Sequence, residues 1–331
     1  MQRILMRVCD WVWYRPNPAK WFLWPLGAVY GAVMAVRRGL YRRGIRAVTT
    51  MPLPVIVVGN LTVGGTGKTP LVIWLAGQLQ ARDYRVGIVS RGYGGTAAVW
   101  PQRVRANSDP ALVGDESVLL ARATACPVMV GPDRVAAARA LIAAEPLDVV
   151  LADDGLQHYA LGRNLEIVVV DGERGLGNGL CLPAGPLREF KRRAAQADAV
   201  VVNGGGWGHP GVFRAQPVAQ RLHEVAGSAQ ASLEAFAGTP VHAVAGIGNP
   251  QRFFDLLAAA DVDVLPHPLP DHARLSREDL QFDDPHPVFV TEKDAVKCEP
   301  FAGRNVWCVP VKLVFSAEDG ERLMRRVLRE L

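Results

Sequence analysis

The residues best placed to do chemistry form the run GNLTVGGTGKTP, Gly59 to Pro70. Gly64, Gly65 and Gly67 let backbone N–H groups converge on phosphate oxygens, Lys68 can neutralise β- and γ-phosphate charge, and the Thr69 hydroxyl suits Mg²⁺ at a helix start. Thr62, Val63 and Thr66 complete the loop. The strict spacing G-x-x-x-x-G-K-[ST] asks for glycine where Thr62 stands, so the loop is a variant one.

Carboxylates come next. VVLADDGLQH closes an apolar run with Asp153 and Asp154, where an acid helps hold Mg²⁺ in nucleotide-binding sheets. Adjacent strand residues point to opposite faces, so only one of the pair faces the metal. VGDESVLL puts Asp115 and Glu116 at the start of a helical pattern, a place the helix dipole alone also favours. Arg91 in SRGYGG, and Arg188 beside Glu189 in PAGPLREF, lie on Gly/Pro loops that suit either anion contact or solvent. His272 follows Asp271 in LPDHA. GIGNPQ, 246–251, lacks the third glycine of a dinucleotide fingerprint.

These groups need a scaffold, and β-branched runs alternating with helical stretches from residue 54 predict an α/β fold with a doubly wound, mostly parallel sheet. Strands are expected at 54–59, 85–90, 127–131, 147–153, 165–171 and 198–203, with helices over 69–80, 115–125 and 133–144. A second, smaller α/β unit is expected from a strand at Pro240, a helix over 250–260, strands at 287–293 and 306–315, and a helix over 317–331. The expected division is an N-terminal segment 1–50, a P-loop core 51–235 and a C-terminal domain 236–331. With 331 residues, 49% hydrophobic and 21% charged, the chain is neither disordered nor a disulfide mini-protein. Five dispersed cysteines without a C-x-x-C indicate no disulfide frame or zinc site, and a reducing compartment.

The net charge of +5 is concentrated near the N-terminus, where Lys20, Arg37, Arg38, Arg42, Arg43 and Arg46 are the only charges from 20 to 46. They bracket FLWPLGAVYGAVMAV, an uncharged run whose helix would rise about 22 Å, short of the ~30 Å hydrocarbon core. Aromatic rings beside arginines favour a monotopic anchor on an anionic membrane surface. The alternative is a core helix with a solvated arginine face. Arginines clustered by an apolar run argue against a nucleic-acid binder.

The V-G-G-T-G-K-T core is similar to the variant loop of the partitioning and nitrogenase-iron-protein ATPases. Taken in order, GNLTVGGTGKTP, SRGYGG, VGDE, LADDGLQH, PAGPLRE, PDH and VTEKDAVK resemble the tetraacyldisaccharide 4′-kinase family over nearly the whole chain. That resemblance implies transfer of the ATP γ-phosphate to the 4′-hydroxyl of a lipid A disaccharide 1-phosphate precursor, at the cytoplasmic face of the bacterial inner membrane, with no obligate protein partner. It implies Asp115 as general base tuned by His272, Lys68 on the transferring group, and Arg188 and Arg91 on phosphates. Glu116 is implied as the metal partner of Thr69, supported by Asp153 and Asp154. The competing reading is a membrane-associated nucleotide switch of the partitioning or metallochaperone type. Its loop usually carries a lysine where Val63 stands.

Overall fold

The computed structural model describes residues 2–331. Two helices open it, α1 (Gln2–Tyr14) and α2 (Ala19–Arg42). The first lobe follows as β1 (Val55–Gly59), α3 (Lys68–Gln80), β2 (Val86–Ser90), β3 (Gln102–Val104), α4 (Pro110–Val113), α5 (Asp115–Thr124), β4 (Val128–Val130), α6 (Arg134–Ala144), β5 (Val149–Asp153), β6 (Leu165–Asp171), β7 (Ala199–Asn203) and β8 (Phe213–Ala219). The chain then passes to a second lobe through β9 (Leu222–Glu224), β10 (Gln230–Ala231), β11 (Pro240–Ala245), α7 (Pro250–Ala258), β12 (Asp263–Pro268), β13 (Val288–Thr291), α8 (Glu292–Cys298) and β14 (Val306–Val309). It returns to the first lobe with β15 (Val311–Phe315) and α9 (Ala317–Leu328).

The larger sheet runs β15-β8-β7-β6-β1-β5-β2-β4-β3, parallel except at its two ends, where β15 and β3 are antiparallel to their neighbours. Every residue of β1 and β5 is buried, as expected of strands covered by helices on both faces. The second sheet, β10-β9-β14-β13-β11-β12, is parallel through β14, β13, β11 and β12. Both lobes are α/β layers, and the loops that carry chemistry leave the carboxyl ends of β1, β5 and β7.

Four expectations need correction. The stretch 306–315 is two strands in different sheets, because Pro310 offers no N–H to a ladder. The sheets therefore divide the chain otherwise than a cut after residue 235: β9 and β10 belong to the second lobe, and 311–328 to the first. The strand expected to reach residue 293 stops at Thr291, whose side chain caps α8 by accepting the Asp294 N–H.

Fourth, α2 is longer than the apolar run within it. It spans 24 residues and continues through its arginines, so it rises about 36 Å and is long and apolar enough to cross a membrane. One face nevertheless docks on protein: an added Cβ at Gly27 would meet the Cys181 carbonyl at 2.7 Å, and one at Gly31 the Phe190 ring at 2.6 Å. The opposite face exposes Phe22 (85%), Val29 (63%) and Val33 (59%). The helix thus has both a packed face and an unpartnered apolar one. The turn before it is tied down by Trp13, whose indole N–H donates to the Pro183 carbonyl at 3.0 Å.

Candidate active site

The glycine loop joins the buried end of β1 to the first turn of α3. Gly67 caps that helix at φ +86°, and the Asn203 side-chain amide occupies the space a Cβ would need. That amide donates to the Thr66 carbonyl at 2.9 Å, so the end of β7 holds the loop in shape. Residues Val63 to Thr69 face a cleft of about 880 Å³. Thr62 is buried instead, its backbone bridged to Leu187.

The acids after β5 share out the groups of the loop. Thr69 donates its hydroxyl to Asp153 Oδ2 at 3.4 Å, whereas Asp154 Oδ1 takes Lys68 at 3.5 Å and Arg188 at 3.4 Å. Burial first, and then the charge of Glu116, push the Asp153 carboxyl up to about 7 against the pull of Lys68. Burial also acts on Asp154, but Lys68, Arg188 and Arg134 outweigh it and hold that carboxyl below its ordinary value. The second oxygen of Asp153 is buried and has no hydrogen-bond partner.

On the far wall, α5 presents Asp115 and Glu116 to the second lobe. His272, on the loop after β12, places Nδ1 3.2 Å from Asp115 Oδ1. Lys293 of α8 lies 3.1 Å from Glu116 Oε1, 3.0 Å from Asp271 Oδ1 and 3.2 Å from His272 Nε2. Burial would raise the Asp115 carboxyl, yet the hydrogen bond from His272, with Lys293 and Lys297, brings it below the usual range. Burial would lower the Lys293 ammonium, but Glu116, Asp271 and Asp115 raise it, so it stays charged. The Tyr93 ring packs 4.5 Å from that of His272, and Arg91 lies over Tyr93.

The structure therefore brings Asp115 and His272 together, and sets Lys68, Thr69, Asp154, Arg188 and Arg91 around the cleft that His272 lines. Glu116, expected beside the metal, is paired with Lys293. Lys293, Lys297 and Asn203 were not singled out as site residues from sequence. The run VTEKDAVK contains the two lysines, and Asn203 ends a buried strand at the carboxyl edge where ligands gather. Arg134 and His158 also line the cleft, and burial followed by Arg134 pushes the His158 imidazole down to about 4. Tyr30, Met34 and Arg37 of α2 complete its rim.

The second lobe closes directly over the loop. Gly248 lies against the Gly65 amide with no space for a side chain, and Arg174 donates to the Gly248 carbonyl at 3.2 Å. Asn249 donates to Asp171 Oδ2 at 3.1 Å, and Arg252 donates to the Asn203 carbonyl.

Comparison with known proteins agrees with this geometry. The family model for tetraacyldisaccharide-1-P 4′-kinase matches residues 19–329. The tetraacyldisaccharide 4′-kinase of Nitrosococcus oceani is 51% identical over 312 residues, 94% of this chain and 92% of its own. That of Alkalilimnicola ehrlichii is 53% identical over 321 residues, 96% of each chain. A crystal structure of LpxK from Aquifex aeolicus in complex with ATP superposes with a TM-score of 0.76 at 27% identity, covering 94% of this chain and 99% of that one. A match of this extent establishes that the chain belongs to the tetraacyldisaccharide 4′-kinase family.

Proposed function

We propose that the protein transfers the γ-phosphate of ATP to the 4′-hydroxyl of a tetraacyldisaccharide 1-phosphate. The observation that carries this reading is the Asp115–His272 pair, whose histidine lines the same cleft as Lys68 and the glycine loop. A sugar hydroxyl is a weak acid, so a placed base speeds its attack. The hydroxyl oxygen bonds to the γ-phosphorus, the bond to the β,γ-bridging oxygen breaks, ADP leaves, and the hydroxyl proton passes to Asp115. Lys68 and the loop N–H groups stabilise charge on the transferring group, and Arg188 and Arg91 neutralise phosphate.

A Mg²⁺ ion fits beside Thr69. The unpartnered buried oxygen of Asp153 is a ligand without a donor, and its neighbour is the Thr69 hydroxyl. When bound, the ion supplies charge neutralisation at the β and γ oxygens. Asp154, held by Lys68 and Arg188, and Glu116, held by Lys293, shape the field around it.

We place the protein at the cytoplasmic face of the inner membrane. The exposed stripe of α2 would enter the headgroup boundary, with its arginines on anionic lipid. Because the other face of α2 is docked on the protein and lines the cleft, the helix lies along the bilayer surface, and the acyl chains need not leave lipid. In the test, purified protein receives γ-labelled ATP with either a glucosamine disaccharide lipid or buffer. Label on the lipid supports the kinase; hydrolysis indifferent to lipid overturns it in favour of a nucleotide switch.

A further inference from the structure

We infer that Lys293 is a positioning residue that fixes which nitrogen of His272 carries the proton, and thereby which oxygen of Asp115 is left to receive the proton of the acceptor. The inference rests on the kinase reading for its consequence in turnover, and on hydrogen-bond geometry for the rest.

The side chain of Lys293 is 11% exposed, so its donors must be met within the protein. An ammonium has three N–H groups and accepts nothing. Three groups surround it, Glu116 Oε1 at 3.1 Å, Asp271 Oδ1 at 3.0 Å and His272 Nε2 at 3.2 Å, while Asp271 Oδ1 lies 3.7 Å from Nε2, beyond hydrogen-bond distance. A proton on Nε2 would set one buried donor against another, so the network assigns the lone pair to Nε2 and the proton to Nδ1.

Nδ1–H then donates to Asp115 Oδ1 at 3.2 Å, and the same oxygen accepts the Glu116 backbone N–H at 2.8 Å. Oδ1 is thereby engaged twice. The nearest cation to Oδ2 is Lys297 at 3.8 Å, beyond hydrogen-bond distance and committed to Asp294 at 2.6 Å. Oδ2 is the carboxylate oxygen left free for a proton. With the opposite tautomer, Nδ1 would turn a lone pair towards Asp115 Oδ1, and the carboxylate would lose its orientation.

The arrangement also joins the lobes. Lys293, Asp271 and His272 belong to the second, while Asp115 and Glu116 start α5 in the first. The base acquires its geometry only when the two walls meet.

The test uses the full-length protein in detergent with ¹⁵N-labelled histidine, the His272 signals being identified by loss in His272→Gln. In the wild type, Nδ1 is expected to be protonated and Nε2 bare. In Lys293→Met, which keeps the length of the stem, the proton should move to Nε2 or divide between the two sites. The kcat should fall by about 10², within the range for disabled general-base catalysis, with KM for ATP little changed. Lys293→Arg, which retains charge and donors, should recover the tautomer and part of the lost kcat. A wild-type Nε2–H tautomer overturns the inference. So does a folded Lys293→Met protein that keeps the proton on Nδ1, whether or not its turnover falls. Should Lys293→Met not fold, the wild-type and Lys293→Arg spectra decide. Wild-type protein that fails to label the lipid sinks the kinase reading and leaves the tautomer measurement intact.

Discussion

At the scale of single residues, the site works by dividing like charges between unlike neighbours. Asp115→Asn retains size and removes the base, so kcat should fall about 10²–10⁴-fold while ATP binding persists, as single-turnover assays and nucleotide titration would show. His158 gives a pH dependence. Its imidazole is held down at about 4 by burial and Arg134, whereas in the unfolded chain it titrates near 6.5. The unfolded state therefore binds more protons between those values, and the contribution is complete above about 6.5 and lost as pH falls towards 4. Thermal midpoints should drop across that window, and His158→Gln should flatten the drop. Lys68, Thr69 and the acids after β5 were legible because a strand, a glycine loop and a helix follow one another in sequence. The pairing of Asp115 with His272 was not legible from spacing: the two lie 157 residues apart, and only resemblance linked them. Lys293 was hidden for the same reason, since all its partners are distant in the chain or on other elements.

At the scale of elements, α2 has two faces with two tasks. Gly31→Leu should force the helix away from Phe190 and Cys181, at a cost of about 1–3 kcal/mol, read as a lower melting temperature. Val29→Ser with Val33→Ser should leave melting nearly unchanged and reduce recovery on anionic vesicles, because both side chains face outward. Equal loss of stability in both variants would mean that the outer stripe is packed in solution. Central strands were readable, since burial on both faces writes a continuous apolar run. Strands one in from an edge were not: β8, between β15 and β7, has its apolar run broken by exposed Arg214 and Gln216, and β9 has only three residues. The helix α8 was concealed because VFVTEK continues a strand-like run until the Thr291 cap turns it, and that cap depends on a local hydrogen bond rather than on hydrophobic period.

At the scale of the whole molecule, the last twenty residues complete the first lobe. Leu323, Met324 and Val327 of α9 are buried in the same core as Leu71 and Leu75 of α3. Leu323→Ala should therefore cost about 2–5 kcal/mol and loosen α3 in hydrogen exchange, while β11 and β13 of the other lobe keep their protection. The two passages between lobes run side by side: β8 pairs antiparallel with β15, β9 with β14, and the Gln220 N–H donates to the Pro310 carbonyl at 2.8 Å where they cross. Such a ribbon is stiff along its hydrogen-bonded ladder and pliant across its thin dimension. The molecule should open as a door on a leaf spring, a swing that parts His272 from Asp115 on the opposite wall and brings the two back together.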